Sequence, residues 1–145
     1  MEFNPAMVSR LQKRNELKEK STQKKNTLET SGFEGRALND FINDEEAYHQ
    51  LMLDIISQQY VSTQLVLKGT RINRIFVDGG FSKNAIYMNL LAAHFPGVEV
   101  FAATMAQSTA VGTALSIHDA WNQKAMTNDI IELKKFSSAV SCFVR

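Results

Sequence analysis

One short stretch of the chain carries the residues best suited to bind a ligand. An apolar run ends at Asp78, and two glycines, Gly79 and Gly80, follow it directly. Phe81 comes next, then Ser82, which is a good N-cap for the helical pattern that begins there. Paired glycines let the backbone approach a ligand closely, and the free N–H groups of a helix's first turn attract anions. The spacing predicts a turn that can hold a phosphate or a nucleotide.

This glycine turn, with the sequence GGFSKN, matches neither of the two common phosphate-binding motifs. It lacks the Gly-x-Gly-x-x-Gly of a dinucleotide fold and the Gly-Lys-Ser/Thr of a P-loop. A tight strand-to-helix connection, in which the glycines relieve crowding, is the alternative interpretation. Ligands of open α/β sheets bind at the carboxyl ends of strands, where this turn is expected to lie. That position favours a ligand, but the residues alone leave both interpretations open.

Composition restricts the class of protein. The 145 residues are 44% hydrophobic and 21% charged, which is typical of one soluble globular domain. A net charge of +1 argues against a globally basic nucleic-acid binder. The single cysteine, Cys142, excludes an intrachain disulfide, and no Cys/His cluster has zinc spacing. No apolar stretch suits a signal peptide or a membrane span. We therefore expect a cytoplasmic protein with no bound metal and no membrane or nucleic-acid partner.

The middle of the chain predicts alternating helices and strands. Asp44 is the expected cap of a first helix that runs to about Leu67, where Gly69 stops it. The elements expected after it are a buried strand Arg74–Val77, a helix Lys83–Phe95, a strand Val98–Ala102 and a helix Gln107–Trp121. This helix–strand–helix–strand–helix order predicts an α/β fold with parallel strands and helices packed on the sheet.

The two ends of the chain differ from this middle. Residues 1–43 are predicted to form a polar, basic arm, because Ser9–Ser31 offers too little apolar surface for a core element. This arm is expected to be a solvated helix or poorly ordered. Residues 44–136 form the predicted domain, in which Asp129–Phe136 is a candidate short helix. Residues 137–145 form an apolar, β-prone tail.

The sequence VDGGFSKNAIYMNLLA, followed by a short strand and MAQSTAVGTALSIHDAWN, closely resembles the C-terminal part of FGGY-type carbohydrate kinases. The resemblance spans about Glu46 to Asn122. It combines a Gly-Gly-x-x-x-Asn turn after a strand with a helix rich in alanine and glycine, whose small face we expect to pack closely. These kinases belong to the actin-like ATPase superfamily, so the resemblance implies part of a ribonuclease-H-like domain.

In that family the glycine turn is the adenosine motif, which contacts the nucleotide. The nucleotide-binding residues that the resemblance implies are Gly79, Gly80, Phe81, Ser82, Lys83 and Asn84, and the implied cofactors are ATP and Mg²⁺ carried by ATP. Gln107 and Ser108 are further candidates near the same crevice. Asp78 could orient a magnesium-bound water, or cap the turn or pair with a local cation; a lone carboxylate favours the structural role.

The chain lacks other parts that the resemblance would require. The family's catalytic base is an aspartate located well before the adenosine motif, and its sugar pocket lies mainly in an N-terminal domain. None of Asp40, Asp44, Asp54, Asp119 and Asp129 has a matching context, so we assign no catalytic residue. We expect the C-terminal, ATP-binding portion of a carbohydrate kinase that is incomplete, inactive alone and able to bind sugar only with the missing domain. The alternative is a non-catalytic interaction or assembly module that self-associates through exposed apolar surface.

Overall fold

The computed structural model describes residues 1–19, 31–103, 108–122, 124–125 and 132–137. Its helices are α1 (Pro5–Glu19), α2 (Asp44–Leu67), α3 (Ala85–His94), α4 (Ser108–Ser116) and α5 (His118–Trp121). Its strands are β1 (Arg74–Val77), β2 (Glu99–Ala103) and β3 (Leu133–Phe136). Short 3₁₀ turns occupy Leu38–Asp40 and Gly80–Lys83.

The three strands form one sheet in the order β1-β2-β3. β1 and β2 pair in parallel, with Arg74 opposite Glu99 and Val77 opposite Ala102. The mixed α/β class and the parallel pair are therefore confirmed. β3 adds an antiparallel strand on the other side of β2. The predicted helix at Asp129–Phe136 is wrong for the last four of those residues, and residues 129–131 lie outside the described ranges.

The pairing of β3 explains why the local sequence wrongly predicted a helix here. Leu133–Phe136 reads LKKF, which has no strand-like alternation of apolar and polar residues. Phe136 pairs with Val100, and its side chain packs against the hydrophobic core. Free backbone groups on β2 and a place for one aromatic ring thus decide the structure of this segment, and both are tertiary features.

Helix α3 packs on one face of the sheet, helix α2 packs on α3, and together they form the core with it. The largest fully buried apolar side chains are Val8, Leu11, Ile56, Ile86, Met88, Leu90 and Val100. On the sheet, Ile75, Val77 and Phe136 pack against this cluster. The core thus lies between two helices and one sheet face, as the predicted packing of helices on the sheet requires.

The first helix contributes to this core, which the sequence did not predict. Val8 and Leu11 are fully buried. Arg14 donates a hydrogen bond of 3.1 Å to the buried carboxylate of Glu46, and Arg10 lies 3.5 Å from the same oxygen. The basic residues that made this arm look solvated are thus partly neutralised by helix α2. The expectation of a solvated helix or poorly ordered arm does not hold for α1, although the division at residue 43 stays a prediction.

A buried ion pair fastens the next segment to α2. The guanidinium of Arg36 donates two hydrogen bonds, of 2.7 and 3.0 Å, to the carboxylate of Asp54. Gln50 donates a third, of 3.0 Å, from the same helix. Bidentate hydrogen bonds between a guanidinium and a carboxylate are strong and geometrically specific. They hold the chain before α2 against the helix and leave Asp54 committed to a structural role.

Several predicted boundaries need correction. Helix α2 is capped by Asn43 rather than Asp44, because the Asn43 side chain accepts a 2.9 Å hydrogen bond from the N–H of Glu46. Strand β1 lies at the edge of the sheet and is not buried: Phe76 is 55% exposed. Burial of β1 on both faces would need an element on the second face, and none of the described residues supplies one.

The predicted third helix is divided into α4 and α5. The close packing expected of its small-residue face is not found in the described part of that helix. Ala110 is exposed, and a Cβ added at Gly112 would meet no atom within 4 Å. Ala106 lies outside the described residues. Among the described helices, none combines the length and apolar character that crossing a bilayer requires.

Replacing a buried residue of α1 tests whether this helix belongs to the folded unit. We expect Leu11→Ala to lower the free energy of unfolding by about 2–4 kcal/mol, because it leaves a cavity against α2. Leu17→Ala is the matched control on the same helix. Leu17 is 71% exposed, so its loss should change stability by less than about 0.5 kcal/mol. Urea unfolding followed by circular dichroism measures both, and equal effects would contradict the packing of α1.

Candidate functional site

The glycine turn follows β1 at the carboxyl end of the parallel strands. Gly79 has φ of +78° and ψ of −154°, a backbone conformation open essentially only to glycine. Gly80 then begins a 3₁₀ turn that ends at Lys83. A Cβ added at either glycine would meet no atom within 4 Å. The turn therefore needs glycine at its first position for conformation, while the space in front of both glycines is open.

Ser82 stabilises the turn from within. Its N–H and its hydroxyl both donate to the carbonyl oxygen of Gly79, at 3.3 and 2.8 Å. The residue is buried. The prediction that Ser82 caps the following helix is therefore wrong, because its hydroxyl is used one turn earlier. Its proposed contact with a nucleotide stays a prediction, and the side chain would have to give up this bond to make it.

Asn84 is the residue that caps helix α3. Its Oδ1 accepts hydrogen bonds of 3.1 Å from the N–H groups of Ile86 and Tyr87. Its Nδ2 donates a hydrogen bond of 2.8 Å to the hydroxyl of Tyr48 and lies 3.6 Å from the sulfur of Met52. Both ends of the amide are thus engaged inside the protein. Any nucleotide contact of Asn84 would come through its backbone or by exchange of these bonds.

Tyr48 and Met52 of helix α2 contact Asn84, and neither was among the residues predicted for the site. They lie four residues apart and hence on the same face of the helix. A phenol hydroxyl inside an otherwise apolar stripe needs a hydrogen-bond partner when it is buried. That requirement was the available signal, although it could not identify Asn84 as the partner.

The remaining residues of the turn are open to solvent. Phe81 is 46% exposed, and its ring contacts that of Tyr87 with 4.6 Å between centroids. Burial raises the pKa of the Tyr87 phenol, which keeps it neutral. Lys83 and Asp78 are exposed. The turn thus presents two bare glycines, an aromatic ring, a cation and a carboxylate to solvent.

The second candidate stretch follows β2 at the same edge of the sheet. Val77 and Ala102 are paired in register, so the carboxyl ends of β1 and β2 lie side by side. Helix α4 begins at Ser108, whose side chain is not among the described ones, and Gln107 lies outside the described residues. The topology therefore places the two strand ends at one edge, while the parts played by Gln107 and Ser108 stay predictions.

Other ionisable groups form no second centre in the described part of the chain. No group of three or more His, Cys, Asp or Glu residues there is arranged to hold a metal ion. Burial lowers the pKa of His94, whose ring also contacts the carbonyl of Leu90 at 2.9 Å. His118 contacts the carboxylate of the neighbouring, exposed Asp119 at 3.1 Å. These contacts satisfy each histidine locally.

Comparison with known proteins identifies the family. A family model for the C-terminal domain of the FGGY family of carbohydrate kinases matches residues 27–117, well over half of the chain. The chain belongs to this FGGY family. A search of curated proteins gave no match, and neither did a search of solved structures.

The FGGY match covers the elements that surround the glycine turn. It includes α2, β1, α3, β2 and α4, in which the two candidate stretches lie. Helix α1 and strand β3 fall outside it. The chain is therefore a C-terminal part of a carbohydrate kinase. Outside the matched residues, helix α1 packs on α2 and strand β3 pairs with β2.

Replacement of Asn84 tests its structural role. We expect Asn84→Ala to lower the free energy of unfolding by about 1–2 kcal/mol, because α3 loses its cap and the Tyr48 hydroxyl loses its partner. Asn84→Asp keeps an acceptor for the cap but loses the donor to Tyr48, so its effect should be intermediate. The neighbouring Lys83→Ala should change stability by less than about 0.5 kcal/mol. Urea titrations of the three variants decide the order, and an Asn84→Ala protein as stable as the parent would contradict this role.

Proposed function

We propose that this chain is the ATP-binding portion of a carbohydrate kinase, and that the glycine turn forms one side of the nucleotide-binding site. The observation that carries the proposal is the exposed Gly79-Gly80 pair at the carboxyl end of a parallel strand, with open space in front of both residues. In α/β sheets this edge is where ligands bind. The proposal includes a ribonuclease-H-like arrangement of the complete domain, as in actin-like ATPases.

The backbone of the turn supplies the expected anion contacts. Ser82 is the first donor that bonds within the turn, so the N–H groups of Gly80 and Phe81 precede it and need no acceptor inside it. Donors of this kind at exposed glycines suit phosphate oxygens. The half-exposed ring of Phe81 offers a flat apolar surface beside them. ATP with its Mg²⁺ fits this combination better than an uncharged ligand does.

The charged residues of the turn have distinct expected parts. Lys83 ends the 3₁₀ turn and is exposed, so its ammonium can approach the phosphates as a point charge. Asp78 precedes the glycines and is also exposed. One carboxylate is a weak metal site, and a water held by the Mg²⁺ of ATP is the contact open to it. The metal is therefore expected to arrive with the nucleotide.

Catalysis by this chain alone is not expected. Phosphoryl transfer needs a base for the sugar hydroxyl, an in-line nucleotide and neutralisation of charge. Asp54, the one buried aspartate of the described residues, is held by Arg36 and Gln50. A carboxylate so engaged cannot accept a proton from a sugar. The base and the sugar pocket would come from a domain of the kinase that this chain does not supply.

A second candidate function is a non-catalytic assembly module. It is favoured by the uncovered face of the sheet, on which the rings of Phe76 and Phe101 stack with 5.4 Å between centroids. Exposed apolar surface of this kind marks interaction sites. Affinity for nucleotide separates the two functions, because a scaffold has no need of the open glycine turn.

Nucleotide binding is tested by filling the space in front of the turn. We expect weak, magnesium-dependent binding of ATP, and we expect Gly80→Val to raise the Kd at least about tenfold because its side chain occupies the phosphate position. Isothermal titration with ATP, in Mg²⁺ and in EDTA, measures this. Gly80 has no positive φ, so the variant should fold.

Gly97→Val is the matched control. Gly97 also has open space around it, but it lies in the turn before β2, at the opposite end of the sheet. Its replacement should leave ATP binding unchanged. Absence of ATP binding in the parent chain, or an equal loss of ATP affinity in both variants, would refute the nucleotide-binding proposal. The assembly module would then be the remaining candidate function.

Kinase activity is tested separately. We expect no release of ADP above background when the chain is mixed with ATP, Mg²⁺ and a panel of ketoses and polyols, because none of the described residues is assigned as the catalytic base. A coupled assay for ADP measures this, with Gly79→Val as the comparison. Turnover that survives purification and disappears in that variant would show that the chain is catalytically complete.

A further inference from the structure

An aromatic ring directly follows the two bare glycines of the turn. It belongs to Phe81, which comes immediately after Gly80 and is 46% exposed although it is apolar. The ring of Tyr87 supports it, with 4.6 Å between the centroids and 32° between the ring planes. Tyr87 itself is only 7% exposed and is part of the hydrophobic core. The protein therefore holds an aromatic ring at its surface on a buried support.

A ring held in this way is suited to a flat ligand. The contact with Tyr87 uses only part of the Phe81 ring, and nearly half of the residue stays open to solvent. Nucleobases stack on such rings, because every base has a π-face. Since Tyr87 already restrains the ring, little side-chain freedom is lost when a base stacks on it.

The polar side chains that could recognise the edge of a base are engaged elsewhere. An amide matches adenine well, because it pairs with an adjacent donor and acceptor of that base. Both ends of the Asn84 amide are bonded inside the protein, and the Ser82 hydroxyl donates to Gly79. The exposed charged groups of the turn are Asp78, whose carboxylate only accepts, and Lys83, whose ammonium only donates. The described turn thus offers a base a stacking surface, but no free side chain that pairs with both groups of its edge.

We propose that Phe81 is the nucleobase platform of this site, on which a base stacks while the backbone of the glycine turn and Lys83 hold the phosphates. This role presupposes the nucleotide binding proposed above and adds how the base is held. Stacking depends on the area and the π-face of a ring, and much less on the hydrogen-bonding groups at its edge. The site should therefore distinguish purines from pyrimidines by ring size, and should distinguish ATP from GTP only weakly.

Inorganic tripolyphosphate separates the ring from the phosphate contacts, because this anion has phosphates but no base. In the full chain with Mg²⁺, isothermal titration should give a Kd for ATP about ten- to a hundredfold lower than the Kd for tripolyphosphate. Phe81→Ala should raise the Kd of ATP by a similar factor and leave that of tripolyphosphate unchanged. Gly80→Val, by contrast, should weaken the binding of both ligands.

A panel of nucleotides tests the expected indifference to the edge of the base. GTP should bind to the parent chain with a Kd within about threefold of that for ATP. UTP should bind more weakly, because a single-ring base covers less of Phe81. Phe76→Ala is the matched control, since Phe76 is a similarly open phenylalanine, 55% exposed, whose ring stacks on Phe101 of the sheet. This variant should leave the Kd of each nucleotide unchanged.

Tryptophan fluorescence reports the stacking directly. Trp121 is the single tryptophan of the chain, so Phe81→Trp in a Trp121→Phe background places the only tryptophan in the turn. ATP and GTP should quench its emission, whereas tripolyphosphate should not. The larger ring should also keep the Kd of ATP at or below that of the parent chain.

Three results would overturn the platform. Equal Kd values of ATP and tripolyphosphate in the parent chain would show that the base contributes nothing. Equal weakening of both ligands by Phe81→Ala would show that the ring only shapes the turn. A preference for ATP over GTP of about tenfold or more would require a group that recognises the edge of the base. In these three cases nucleotide binding itself stands, whereas a parent chain that binds neither ligand refutes nucleotide binding and the platform together.

Discussion

Asn84 joins three parts of the fold. Its side-chain amide caps helix α3 and donates to Tyr48 on helix α2, while its backbone N–H donates to the carbonyl of Phe81 and closes the 3₁₀ turn that begins at Gly80. A single planar group therefore fixes the start of one helix against the side of another. Because β1 leads directly into this turn, the amide also determines how the glycines project from the sheet. The open space in front of Gly79 and Gly80 depends on that anchoring.

Helix α2 is the element against which the rest of the chain is ordered. One of its faces carries buried polar residues, namely Glu46, His49, Gln50 and Asp54. Buried polar and charged groups are costly unless they are paired. Arg14 of α1 and Arg36 of the following segment supply the pairing for the two carboxylates, and Asn4 donates to His49 at 3.3 Å. The N-terminal part of the chain thus covers a surface of α2 that could not remain dry without it.

The sequence predictions were right where the structure depends on residues close in sequence, and wrong where it depends on contacts between distant segments. The helix at Asp44–Leu67, the strand at Arg74 and the parallel pairing were predictable, because apolar periodicity and turn residues are local signals. The cap at Asn84 was misassigned to Ser82, since both residue types cap well and only the partner Tyr48 separates them. Leu11 was assigned to a solvated arm because Ser9–Ser31 offers too little apolar surface. Glu46, which pairs with the basic neighbours of Leu11, lies more than thirty positions away. The sequence of β3 carries no local pattern typical of a strand, because this segment is extended through its pairing with β2.

The sequence by itself determined the family, the α/β class and the place of the glycine turn after a parallel strand, because these depend on residue types at fixed short spacings. Only the tertiary structure decided which residues of that turn are open to a ligand. Ser82 and Asn84 are of the same polar kind as residues that bind nucleotides, yet their hydrogen bonds are made inside the protein. Gly79 and Gly80 stay bare because no other residue of the described part of the chain packs over them. Burial and hydrogen-bond pairing arise from contacts between distant segments, and residue types alone do not encode them.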